Sequence, residues 1–136
     1  MFYKLIRVLF ILISSLIMLR FALPKLQAMQ VSAKSFAMFS TVLPINANFF
    51  MYFTGGVELL IIILLLSSLF IKNIELKNRF QIIGYVLLFS TMIGAILIEQ
   101  FVRPEPKAFL MTIALVLTTI SISELSLLFQ KNKIKD

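Results

Sequence analysis

Glu58 follows a glycine pair, Gly55-Gly56, and opens an apolar run from Leu59 to Ile71. A carboxylate inside a lipid-soluble helix costs on the order of 2.5–3.5 kcal/mol to insert near the bilayer centre, so it faces protein and takes a partner. Arg20 and Glu99 also interrupt apolar stretches, and Lys25 and Arg103 stand nearby, where long basic side chains snorkel toward headgroups. Arg20, Lys25, Glu58 and Glu99 are therefore expected to form one polar cluster between helices. Arg20 is the expected partner of Glu58, and Tyr52 is the aromatic with a polar handle closest to the cluster. Such a cluster can bind a small polar head or exchange protons, as intramembrane ionisable groups commonly do. Equally, a paired salt bridge can do no more than fix helix register. A cation beside Glu58 favours its ionised form and burial alone the neutral one, and the sequence leaves both open.

The residues that are missing narrow the chemistry further. The chain has no cysteine, histidine or tryptophan. Thiol redox, an ordinary zinc site and a Cys-ligated Fe–S cluster fall outside its reach, and haem could be held only by rarer ligands such as Met or Tyr. No haem, Fe–S or metal site is expected, and no catalytic residue is assigned. Chemistry would belong to a partner or a bound cofactor, so catalysis by the isolated chain is not expected.

The elements that must position these residues are membrane helices. Hydrophobic residues make up 60% of the 136, and mean hydropathy is +1.02. The pattern predicts an all-α, integral membrane four-helix bundle filling 1–136 as a single domain, with spans at about 5–26, 49–71, 80–102 and 107–129. A basic start and short apolar centre also fit a cleaved signal peptide, but Arg20 and Lys25 sit where small neutral residues should precede a cleavage site, so a retained helix is the better reading. Between spans one and two, Phe36, Phe39 and Leu43 recur at helical spacing until Pro44. This predicts a short amphipathic helix, interfacial or tucked against the bundle. Residues 72–79 read as a charged connection, and Arg103-Pro104-Glu105-Pro106-Lys107 as the last turn.

The net charge of +7 is spread over short loops rather than gathered in one patch, which points to topology and lipid headgroups rather than nucleic acid. One side carries Lys4, Arg7, Lys72, Lys77, Arg79, Lys131, Lys133 and Lys135; the other carries Arg20, Lys25, Lys34, Arg103 and Lys107. The first side is expected to be cytoplasmic, with both termini inside the cell membrane. Arg20, Glu58 and Glu99 then share the outer half. Glu124, near the inner end of span four, can meet Lys4 or Arg7 in a structural pair. The hydroxylated residues Thr112, Thr119 and Ser123 and the small residues Gly84 and Gly94 are read as helix-packing material.

Lys25-Leu26 closing the first span, Ser35-Phe36, Leu43-Pro44, and then Tyr52-Phe53-Thr54-Gly55-Gly56-Val57-Glu58 before a leucine-rich run resemble the DoxX-like family of small four-helix membrane proteins. Gly55 and Glu58 match that family's Gly-x-x-Glu-Leu element, and Lys25 its Lys-Leu; Ala22 stands where the family usually has glycine. The motifs cover about residues 10–70. The resemblance implies a redox-associated accessory subunit beside a partner oxidoreductase, or an assembly chaperone. It further implies a quinone or another lipid-soluble ligand at Arg20, Lys25, Tyr52, Glu58 and Glu99. Membrane lipid is an expected partner, and a homo-oligomer is open.

Overall fold

A computed structural model describes residues 1–134; Lys135, counted above among the basic residues, lies outside the described residues. The helices are α1 (Phe2–Leu26), α2 (Gln30–Phe39), α3 (Ala47–Phe70), α4 (Ile74–Leu97) and α5 (Ala108–Lys133). The axis of α4 continues through a π turn, Ile98–Val102, before Arg103. Four of these are long and apolar enough to cross a membrane: α1, α3, α4 with its π turn, and α5. The chain is thus a four-helix transmembrane bundle with one short helix between the first two spans.

Local chemistry sets the helix ends. Asn46 caps α3 by accepting from the Phe49 amide at 3.1 Å. Asn73 caps α4 by accepting from Glu75 and Leu76 at 3.0 and 3.3 Å, with Glu75 placed on the positive end of the helix dipole. Because Asn73 starts the helix so early, most of the expected connection over 72–79 is helical. Asn78, expected in a loop, is buried inside the bundle. The short helix α2 stops at Phe39 rather than running to Leu43. The Ser40 and Thr41 hydroxyls donate to the carbonyls of Ala37 and Met38 at 2.8 and 2.7 Å, where the chain turns away.

The end of α1 is tied off differently. The Met29 amide donates to the Pro24 carbonyl at 2.9 Å and the Ala28 amide to that of Lys25 at 3.2 Å, while Ala28 takes a left-handed φ of 50°. This is the Schellman arrangement, with alanine where glycine is usual. It fixes the last turn of α1, and with it Lys25.

In lipid the bundle is held by close packing and internal polar pairs, since lipid tails are as apolar as the side chains they touch. Ile11, Met18 and Ala22 of α1 meet Ile61 and Leu65 of α3, Leu88 and Met92 of α4, and Leu117 of α5 in one buried core. The order around the bundle is α1, α3, α4, α5, and α1 meets α5 only briefly. At the end holding the termini that meeting is closed by polar groups. Arg7 Nε donates to Glu124 at 2.8 Å and its Nη2 to Gln81 at 3.0 Å; Gln81 in turn donates to Ser68 at 3.3 Å. All four spanning helices contribute to that chain of bonds. Glu124 therefore pairs with Arg7, as expected. At the opposite end α2 lies against α3, where Phe36, Phe39 and Met51 form a second small core.

Candidate functional site

Lys25 reaches Glu58 because of two spacings. On α1, Met18, Ala22 and Lys25 follow one another at intervals of four and three residues and share the buried stripe, both apolar members being fully buried. On α3, Gly55 and Glu58 are three apart and face the same way, and both are buried. Gly55 admits the end of α1: a Cβ there would stand 3.0 Å from the Lys25 Cβ and 3.2 Å from Leu26 Cγ. One turn further along, the Lys25 ammonium donates to Glu58 Oε1 in an ion pair. Glu58 is only 2% exposed.

Arg20 is not the partner of Glu58. Two residues from Met18 and five from Lys25, it sits about 140° round the helix from Lys25 and is exposed. Tyr52 is likewise displaced. Six residues before Glu58, it lies about 120° away on α3 and is 47% exposed. Glu99 is buried but pairs within its own segment: Arg103 Nε donates to Oε1 at 2.7 Å and the Lys107 amide to Oε2 at 3.1 Å. The π turn carries Glu99 and is followed directly by Arg103, and such turns often occur at functional positions. Arg103 does not snorkel outward as expected. Its side chain is 10% exposed and its guanidinium lies 5.2 Å from the Phe39 ring.

The expected single cluster is thus two ion pairs, Lys25–Glu58 and Arg103–Glu99, and both line one cavity of about 660 Å³. All five helices wall it. Its apolar surface comes from Phe21, Phe36, Phe39, Phe50, Met92 and Ile113. Arg20 lines it from an exposed position; Tyr52 does not line it. The Glu99–Arg103 spacing of four was legible as a helical ion pair. The role of Gly94 was not: it lines the cavity, and a Cβ there would meet nothing within 4 Å.

The two carboxylates differ in what they leave open. Both oxygens of Glu99 accept a hydrogen bond, whereas Glu58 Oε2 is buried without a partner. An unmet buried acceptor costs about 1–3 kcal/mol. Chemically, the site offers an ammonium and a guanidinium against aromatic walls, which suits a flat molecule with a polar head and an apolar body.

Fold and site together define a four-helix transmembrane protein with an amphipathic cavity at the end capped by its short helix. No family model, curated protein or solved structure matches this chain.

Proposed function

We propose that this chain is a DoxX-like accessory subunit of the cell membrane, termini in the cytoplasm, that binds a quinone or similar lipid-soluble ligand beside a partner oxidoreductase. The observation that carries this reading is a single cavity in which phenylalanine-rich walls surround two buried ion pairs. Its size falls within the roughly 300–1,000 Å³ of small-molecule sites. Quinone carbonyls accept hydrogen bonds, so Lys25 and Arg103 would hold the head, with Phe21, Phe36 and Phe50 against the ring. A bound quinone would supply two-electron chemistry that these side chains lack. The DoxX-like assignment is supported by Lys25 of one motif meeting Gly55 and Glu58 of the other, which lie on a different helix. The orientation rests on the basic residues crowding the end that holds the termini.

A second reading is favoured by a different observation. The three buried carboxylates Glu58, Glu99 and Glu124 each have a cation, as a scaffold or assembly protein with purely structural charges would need. Mass spectrometry of organic extracts from purified protein separates the two, comparing wild type, Glu58→Gln and Gly94→Phe at matched folded yield. Gly94→Phe adds bulk where a Cβ meets open space and leaves every charge in place. Stoichiometric quinone in wild type and its loss from Gly94→Phe is the expected result. A clean extract from well-folded wild type would discard the ligand reading in favour of the scaffold.

A further inference from the structure

Arg20 is a membrane charge without a counter-charge. It stands six residues before Leu26, where α1 ends, and so about 9 Å along the helix from that end. In a helix the Cα–Cβ bond tilts toward the N-terminus, here away from the nearer headgroups, so Arg20 is poorly placed to snorkel out of the bilayer. Intramembrane cations almost always take a partner, yet Arg20 joins no ion pair among the described residues. It is exposed, and it lines the cavity. The rest of the lining adds to the imbalance. Arg20, Lys25, Arg103 and Lys107 line the cavity against two carboxylates, Glu58 and Glu99, and these are taken by Lys25 and Arg103. The Lys107 side chain, at the start of α5, is exposed and also joins no ion pair among the described residues. Glu105, in the same turn, is exposed, pairs with neither cation and does not line the cavity. Two positive charges thus stand on the exposed part of an apolar lining, on the two helices that meet only briefly.

We infer that the missing anion is a lipid phosphate: the exposed rim of the cavity, on its α1 and α5 side, binds a phospholipid of net negative charge, its phosphate at Arg20 and its headgroup toward Lys107. A guanidinium presents a planar fork of donors that matches phosphate oxygens, and the ammonium adds a second point charge. The apolar neighbours make this a lipid site rather than a site for a soluble phosphate. Met29, Val31 and Phe109 belong to the same lining and are 49%, 72% and 68% exposed, a surface on which acyl chains can lie. Charge then separates one lipid class from another. The ammonium of a zwitterionic headgroup meets Lys107 and finds both carboxylates of the lining already paired, whereas an anionic headgroup brings no cation of its own. The rim is separate from the interior, so this site stands whether or not a quinone fills the space behind it.

Native mass spectrometry of the full chain tests this, with phosphatidylglycerol and phosphatidylcholine of identical acyl chains titrated into the protein in a neutral detergent. For the first lipid bound, phosphatidylglycerol should be preferred by at least about fivefold, the effect of roughly one cation near a membrane surface. Arg20→Gln and Lys107→Gln should each weaken phosphatidylglycerol by about fivefold. Lys34→Gln removes an exposed cation of α2 that does not line the cavity and should change it by no more than about twofold. Neither Arg20 nor Lys107 takes part in the three ion pairs, so these variants leave the pairs of the bundle in place, and the wild-type lipid comparison needs no variant at all. Equal binding of the two lipids overturns the inference. An equal loss in Lys34→Gln also overturns it, because attraction would then follow overall charge rather than this rim. Glycerol phosphate, the head without the tails, should not displace the lipid even at about a hundredfold excess; displacement would overturn the lipid as the source of the phosphate. Quinone in organic extracts is a separate readout, and its absence would discard the ligand proposed for the interior without touching the rim.

Discussion

Two adjacent glycines of α3 should respond in opposite directions to the same substitution. A Cβ at Gly56 would meet no atom within 4 Å, whereas one at Gly55 would press on the Lys25 Cβ at 3.0 Å and on Leu26 Cγ and Cδ2 at 3.2 Å. Alanine in place of glycine in a helix interior stabilises by about 0.5–1 kcal/mol, so Gly56→Ala should gain that amount. Gly55→Ala receives the same gain and loses it to overpacking, which costs roughly 1–3 kcal/mol. The Lys25 Cβ cannot swing aside as the tip of a long side chain would. It is fixed to a backbone held by the Schellman bonds at Ala28 and Met29, so the end of α1 must retreat. Because the propensity term is common to both sites, the difference between the two variants isolates the overpacking, about 1–3 kcal/mol. Reversible unfolding in mixed detergent micelles, followed by far-ultraviolet circular dichroism, reads it directly. Variants within about 0.5 kcal/mol of each other, the ordinary scatter of a neutral surface change, would refute the close α1–α3 approach that brings Lys25 to Glu58.

At the end holding the termini, Arg7→Met leaves Glu124, 1% exposed, without its cation and should cost about 3–5 kcal/mol. The double variant Arg7→Met/Glu124→Leu should recover most of that loss, and a double-mutant cycle in the same unfolding assay measures the coupling. Ala28→Gly should stabilise by about 1 kcal/mol, because Ala28 alone among the non-glycine described residues holds a positive φ, read as a raised unfolding midpoint.

Hydropathy made the four spans legible because about twenty consecutive apolar residues have few other uses. The number of spans follows from that and the short helix after span one from the spacing of Phe36 and Phe39, while the bounds move by a few residues where caps such as Asn73 act. Depth in the membrane was legible too: Lys25, Glu58, Glu99 and Arg103 do share one end of the bundle. Angle around the helix separates the rest: Arg20 lines the cavity without reaching Glu58, and Tyr52 lies outside the lining. Arg20 lies at the right depth and on the wrong face. The three-residue interval from Ala22 to Lys25 carried the information needed to prefer Lys25, but only once Met18 and Ala22 were known to face the core. The π turn that turns Glu99 toward Arg103 and Lys107 left no signal in residue type.

The two ends of the bundle solve the same problem in different ways. At the end holding the termini, the brief meeting of α1 with α5 is closed by a polar chain in which Arg7, Glu124, Gln81 and Ser68 each have a partner. At the other end, Lys25 turns inward to α3 instead of across to α5, and Arg103 turns back on its own helix. No ion pair there joins α1 to α5 among the described residues, and the space between them is the cavity. If charges served only to bind helices together, pairing across the open side would be the stronger arrangement, since it would tie the two edges of the bundle. The cations are spent locally instead, which keeps the cavity open. That asymmetry supports the proposal that a ligand binds at the end capped by α2, while the polar chain at the other end holds the bundle together.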